Sequence, residues 1–271
     1  MSPSIVNATH PGPFPMTDHI PAIALESVPA VTADQMAEVD RLAVDVYGIT
    51  LPQMMEQAGS HLASVAAAEV GGDLVDRNFL VAVGPGNNGG GGLVAARHLV
   101  NRGARVQVVL ARPARRLSEA GRHQLSTLLE MGVSCCMAVY DISDAEIDDE
   151  LKAADLVIDA VLGYRGRGAP HDEVAALIER IVSAEDRMLS LDVPSGIDSD
   201  TGTAGPLAIR SRSTMTLALP KTGLLTEAGR DHAGRLYLAD IGLPAALYGR
   251  MDLTVEAPFS AGRIVRLEAT S

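Results

Sequence analysis

Between the apolar run Phe79-Leu80-Val81-Ala82-Val83 and the helix-like run Leu93-Val94-Ala95-Ala96-Arg97-His98-Leu99 stands Gly84-Pro85-Gly86-Asn87-Asn88-Gly89-Gly90-Gly91-Gly92. So much glycine between a strand and a helix leaves two uses for the segment. The bare backbone either turns tightly or brings its N–H groups up to an anion at the positive end of the helix. Gly84, Gly86 and Gly89 keep the spacing G-x-G-x-x-G. A ligand-free turn meets that spacing too, but an Asn pair and four consecutive glycines exceed what a turn needs. The segment therefore reads as a phosphate cradle that opens an α/β unit.

Alternation continues downstream. Apolar runs predict strands over 78–83, 105–110, 133–139, 156–160, 187–192, 213–219 and 235–240, with helices over 91–102, 118–131, 145–154 and 171–183. Gly103 and Gly132 stop the first two of these helices. Two more helices are expected ahead of the first strand. One follows the capping-box pattern Thr32-Ala33-Asp34-Gln35 and carries Met36, Val39, Ala43 and Val46 at helical spacing. The other opens at Pro52 and stops at Gly71-Gly72. Continuous apolar strands such as Leu156-Val157-Ile158 suit a parallel sheet covered on both faces, with the carboxyl ends aligned along one edge. Residues 1–31, with Pro3, Pro11, Pro13, Pro15, Pro21 and Pro29, read as a poorly ordered extension. Residues 32–250 read as a single domain and 251–271 as a tail.

Composition narrows the partners. A net charge of −12 without a Lys/Arg block argues against nucleic acid and against an anionic membrane. With aromatics at only 3% and no Trp, the core must be aliphatic. Cys135 and Cys136 are adjacent and lack C-x-x-C spacing, so they read as two buried strand residues in a reducing compartment. The absence of a membrane-length apolar run and of a secretory signal makes a soluble, cytoplasmic chain the default expectation. The histidines show no metal-ligand spacing, and no G-x-S-x-G elbow occurs.

Chemistry-bearing residues fall at the expected strand ends. Asp159 closes Leu156-Val157-Ile158 and leads into a second glycine-rich loop, Gly163-Tyr164-Arg165-Gly166-Arg167-Gly168-Ala169, whose arginines suit a phosphate or ribose, or are merely solvated. Asp192 closes a strand just before the sharp turn Val193-Pro194-Ser195-Gly196, where a carboxylate faces the cleft. Asp198 reads better as a turn cap. Lys221 follows a further strand and can meet an anionic ligand or simply be solvated. Oxygen atoms from Asp159, Ser195 and the Asn87-Asn88 pair suit a monovalent cation better than a divalent one, given how few carboxylates are present. A dinucleotide dehydrogenase is the rival reading. Its acidic residue at the end of the second strand is missing, and Arg112, Arg115 and Arg116 stand near that place instead. These arginines either suit a 2′-phosphate or mean that the loop does not address a ribose in that way.

With these motifs in order, the chain resembles the YjeF N-terminal domain family over about residues 32–244. The carrying motifs are Met55-Glu56-Gln57-Ala58-Gly59, the Gly-Pro-Gly-Asn-Asn-Gly-Gly loop, Asp159-Ala160-Val161-Leu162-Gly163, Asp192-Val193-Pro194-Ser195-Gly196 and Leu219-Pro220-Lys221-Thr222-Gly223. The resemblance implies a Rossmann-like three-layer α/β/α sandwich with a mostly parallel sheet. It also implies an isomerase that interconverts the R and S forms of NADHX or NADPHX, nicotinamide cofactors hydrated at C6, so that a separate dehydratase can restore them. Carried over by position, the ligand would meet Asn87, Asn88, Gly89, Gly90, Gly91, the loop from Gly163 to Ala169, Asp192 and Lys221. Asn88, Asp159 and Ser195 would hold one potassium ion, Asp192 would move the proton, and the chain would form a homodimer. Two departures stand out. Gly91 occupies the place of the family's usual aspartate, and the second loop reads Gly-Tyr-Arg-Gly-Arg-Gly where Gly-Thr-Gly is frequent. A nucleotide-binding or scaffolding domain of the same fold without epimerase activity is the alternative these departures leave open, with an NADP-linked oxidoreductase behind it.

Overall fold

The computed structural model describes residues 20–166 and 168–269. Among these, nine strands form one sheet: β1 (Ala22–Ala24), β2 (Asn78–Val83), β3 (Arg105–Leu110), β4 (Ser134–Met137), β5 (Leu156–Ala160), β6 (Met188–Leu191), β7 (Ser213–Leu217), β8 (Arg235–Ala239) and β9 (Ile264–Glu268). They lie in the order β1-β9-β8-β7-β6-β5-β2-β3-β4. From β2 to β8 every pairing is parallel, whereas β9 runs antiparallel to β8. The helices are α1 (Ala33–Asp45), α2 (Leu51–Glu69), α3 (Asn87–Asn101), α4 (Glu119–Glu130), α5 (Asp144–Ala153), α6 (Asp172–Ile181), α7 (Glu227–Ala233) and α8 (Ala245–Gly249).

The pleat of β2 explains the layers. Successive side chains point to opposite faces, so Val81 and Val83 join Leu62 of α2, Leu93 and Leu99 of α3 and Leu128 of α4 in one core. Leu80 and Ala82 turn the other way, onto Ile147 and Leu151 of α5 and Leu177 and Ile178 of α6. Each fully buried leucine of this kind contributes about 1.5–3 kcal/mol by leaving water. A third cluster joins α1 and α8 to β8 and β9 through Val39, Leu42, Leu247, Tyr248, Leu238 and Val265. The capping box at Thr32 is present in full: Gln35 N donates to Thr32 Oγ1 at 3.2 Å and Thr32 N to Gln35 Oε1 at 2.9 Å. The chain thus folds as a single α/β sandwich of three layers.

Four expectations need correction. Helix α3 begins at Asn87 rather than at Gly91, so Gly89 to Gly92 form its first turns and are buried. Close packing is the reason. A Cβ on Gly90 would come 2.5 Å from Met55 Cε of α2, and one on Gly92 would come 2.5 Å from Ala160 Cβ of β5. The expected extension over 1–31 gives way at its end, because β1 pairs with β9 through Ala22↔Arg266 and Val31 N donates to Pro220 O at 2.9 Å. A strand therefore precedes the two first helices, while residues 1–19 lie outside the described ones. The expected tail over 251–271 contains β9, which alternates buried Val265 and Leu267 with more exposed neighbours. Cys135 and Cys136 are only half-buried, since β4 is the edge strand of the sheet.

Candidate active site

The chain runs from β2 outward to β3 and β4, then returns to place β5 on the other side of β2. Such a reversal parts the loops above the strand ends and leaves a crevice there. A cleft of about 420 Å³ occupies that place. Its floor is made by Gly86, Asn87 and Asn88 after β2, by residues 161–166 after β5, by Leu191 and Asp192 after β6, and by Lys221 beyond β7. Met36 and Asp40 of α1 and Met54 and Met55 of α2 form the opposite wall.

At one end of the cleft lies the start of α3. Gly86 is extended there, with φ −84° and ψ −171°, and offers no side-chain cap. The N–H groups of the first turn, which have no partner within a helix, are thus directed at whatever enters beside Asn87 and Asn88. Asn88 Nδ2 donates to Leu191 O at 3.2 Å and ties this turn to the end of β6.

A buried ion pair sits at the centre. Asp192 and Lys221 are 3% and 1% exposed, and Lys221 Nζ donates to Asp192 Oδ1. The ammonium also donates to Leu217 O at 3.0 Å and Thr216 Oγ1 at 3.3 Å, so all three of its donors are placed. Asp192 Oδ2 accepts from Tyr164 N at 2.9 Å. Asp192 itself holds φ +72°, a left-handed conformation that costs a non-glycine residue about 1–3 kcal/mol and clusters at functional sites. The Tyr164 ring lies over Lys221 Nζ at 5.7 Å. Its hydroxyl donates to Asp40 Oδ2 at 2.6 Å and accepts from Arg165 Nε at 2.9 Å. Burial pushes the Asp40 carboxyl above the usual carboxylate range, against the opposing pull of Tyr164 and Arg165. Tyr164, buried and beside that carboxylate, is pushed up as well and stays a neutral phenol.

Beneath the cleft, Asp159 is fully buried and accepts four hydrogen bonds from neutral donors. Ser195 Oγ at 2.6 Å and Val161 N at 3.1 Å reach Oδ1, while Ser190 Oγ at 2.8 Å and Ser195 N at 2.9 Å reach Oδ2. Burial raises its pKa and these bonds oppose the rise. No cation of the described residues pairs with it. Two of these partners are backbone N–H groups, and the side-chain oxygens beside the cation-free carboxylate, from Ser190 and Ser195, are of the kind a hard monovalent ion takes. At Gly163 the second loop comes close to the cleft floor, since a Cβ there would stand 3.1 Å from both Asn88 Oδ1 and Asp192 Oδ2.

Of the residues expected from the sequence, Asn87, Asn88, Gly91, Gly163, Tyr164, Arg165, Gly166, Asp192 and Lys221 line the cleft. Gly89, Gly90, Gly168 and Ala169 do not, and the first two serve the packing of α3 instead. Asp159 and Ser195 lie below the floor, and Arg167 lies outside the described residues. At Gly91 the cleft faces bare backbone, with Leu191 Cδ2 2.9 Å from where a Cβ would be. Asp198 caps its turn as expected, accepting from Asp200 N and Thr201 N at 3.0 and 2.8 Å. Asp40 is the residue that sequence reasoning missed. It sits on the polar side of an otherwise ordinary amphipathic helix, and only its burial beside Tyr164 reveals it.

The chain spans matches that agree with this geometry. Residues 51–223 match the family model described as YjeF-related protein N-terminus. The NAD(P)H-hydrate epimerase of Dehalogenimonas lykanthroporepellens is 41% identical over 249 residues, which is 90% of this chain and 95% of that protein. The bifunctional NAD(P)H-hydrate repair enzyme Nnr of Moorella thermoacetica is 40% identical over 218 residues, 80% of this chain but only 41% of the longer enzyme. A crystal structure of yeast ynu0, YNL200c, shares the fold with a TM-score of 0.76 at 22% identity, covering 89% of this chain and all of that one. The glycine cradle, the Asp159 knot and the Asp192–Lys221 pair thus stand within a chain that belongs to the YjeF-related N-terminal family.

Proposed function

We propose that the chain interconverts the R and S forms of NADHX and NADPHX. The observation that carries this reading is the buried Asp192–Lys221 pair opening onto a cleft whose far end is an uncapped helix N-terminus. The helix terminus suits a pyrophosphate, which places the hydrated ring at the other end, over the ion pair. Inversion at C6 needs the hydroxyl to leave and return, or the ring to open and close, and each route needs a group that gives and takes a proton near that carbon. Asp192 takes a proton at a carboxylate oxygen and Lys221 holds one at Nζ, so the pair can exchange a proton with the ligand without changing its own net charge. Tyr164 N–H and the ammonium keep both carboxylate oxygens oriented, while Met36, Met54 and Met55 exclude water from the ring.

Potassium is the ion this reading assigns to Asn88, Asp159 and Ser195, where it would neutralise the buried charge beneath the phosphate end. This chain spans about two fifths of the length of the relatives named as bifunctional repair enzymes, and that name supports a dehydratase as the partner activity. We place the protein in the cytoplasm as a homodimer, with α1 and α2 as the interface elements. Among the described residues no helix is long and apolar enough to cross a membrane. Purified protein mixed with one separated NADHX epimer tests the reading. Faster approach to the epimer mixture than in buffer, with and without potassium, is expected. Binding of dinucleotide with no acceleration would leave a nucleotide-binding domain without this activity.

A further inference from the structure

The strand next to the glycine cradle ends in three arginines within five positions, Arg112, Arg115 and Arg116, in a chain whose net charge is −12. Their loop is fixed against the cradle. Ala111 N donates to Val83 O at 2.8 Å, and Ser118 N donates to Pro85 O at 2.9 Å. Between this loop and the end of β4 lies a second cleft of about 250 Å³, lined by the three arginines together with Pro113, Tyr140 and Glu173. Arg112 is engaged with acids of α6, at 3.4 Å from Asp172 Oδ2 and 3.6 Å from Glu173 Oε2. Arg115 and Arg116 are exposed and make no side-chain hydrogen bond or ion pair among the described residues. Tyr140, 62% exposed, offers an uncovered aromatic face at the same rim.

Position supplies the rest of the argument. In a sheet of this winding, a dinucleotide laid with its pyrophosphate on the first strand-to-helix turn puts its adenosine ribose at the end of the second strand of the unit, here β3. An acidic residue there takes a free 2′-hydroxyl, whereas arginine takes a 2′-phosphate. We propose that Arg115 and Arg116, with Arg112 behind them, form the adenosine 2′-phosphate subsite of the cleft, so that the chain prefers the phosphorylated hydrated dinucleotide, NADPHX, over NADHX. Tyr140 stacks on the adenine. The inference rests on the epimerase reading for the nicotinamide end and goes beyond it by assigning the opposite end of the ligand. The acids on α6 hold Arg112 in place and leave the other two guanidinium groups to the phosphate, which they meet with paired N–H donors.

Titration calorimetry with NADP+ and NAD+ as probes, on the whole chain and on the Arg115→Ala/Arg116→Ala variant, tests the subsite. The wild type is expected to bind NADP+ at least tenfold more tightly than NAD+. The double variant is expected to lose about tenfold in NADP+ affinity per arginine, and several times less for NAD+. The NADP+ preference shrinks at high salt, as exposed charges require. Equal affinity of the wild type for both probes, or an equal loss for both in the variant, overturns the subsite while epimerisation of NADHX still stands. Binding of neither probe overturns the subsite, and the NADHX epimerisation assay then decides separately whether the reading it rests on falls as well. Both substituted side chains are exposed, and an unchanged unfolding midpoint in the variant ties any loss to the ligand.

Discussion

Asp159 and Asp192 close neighbouring strands and are both buried, yet they are held in opposite ways. Asp159 lies opposite Ser190 in the β5–β6 register and is saturated by four neutral donors. Asp192 has a cation on one oxygen and a backbone N–H on the other, holds a left-handed backbone, and borders the cleft. Burial of a carboxylate at a strand end therefore does not by itself make a catalytic group. Contact with the cleft and a charged partner distinguish Asp192, to which the proposed function gives the proton, from Asp159, to which it gives the ion.

The comparison breaks most visibly at the cation. Lys221→Met leaves Asp192 charged, buried and unpaired, and is expected to cost about 3–5 kcal/mol in urea unfolding. A loss below about 1 kcal/mol would put the pair in the class of exposed ion pairs, contrary to its burial. Next comes the knot. Asp159→Asn turns an amide NH2 toward one backbone N–H, Ser195 or Val161, and is expected to cost about 1–3 kcal/mol in acid. Its pH dependence has a definite sign. Because the folded Asp159 pKa stands above the ordinary 3.8, the wild type is favoured below that pH and loses that advantage as pH rises through the folded value. The stability gap between wild type and Asp159→Asn is thus expected to narrow as pH increases from about 3.8, and a gap that widens would contradict the assignment. The smallest effect belongs to the rim. Tyr164→Phe removes the bond to Asp40 and is expected to lower stability by about 1 kcal/mol and raise KM severalfold with little change in kcat. A loss confined to kcat would instead make Tyr164 part of the proton transfer.

Much of this site is visible in the residues alone, for a physical reason. Parallel strands align their carboxyl ends on one edge, so any strand-like run followed by a polar residue and a glycine or proline turn, as at Asp159, Asp192 and Lys221, reports its position without knowledge of the packing. The glycine run is ambiguous on its own. Its composition suits a phosphate loop, yet Gly90 and Gly92 are small because α2 and β5 press against α3, a contact between residues distant in sequence. Asp40 carries no local signal at all, since an acid on the polar side of a helix is ordinary until a tyrosine from a loop more than a hundred residues away covers it. The short β1 has three residues beside prolines and too little pattern to detect. Strand β9 leaves a fainter trace, because only Val265, Arg266 and Leu267 alternate, too few residues to set a strand paired on both sides apart from a tail.

In the proposed epimerisation Asp192, and not Asp159, handles the proton. Epimerisation of NADHX by Asp192→Asn and Asp159→Asn, each expressed per folded molecule and compared with wild type, decides it. The Asp192 variant is expected to lose about 10²–10⁴-fold in kcat, well beyond the Asp159 variant. An Asp192→Asn protein that turns over as fast as wild type would contradict the account.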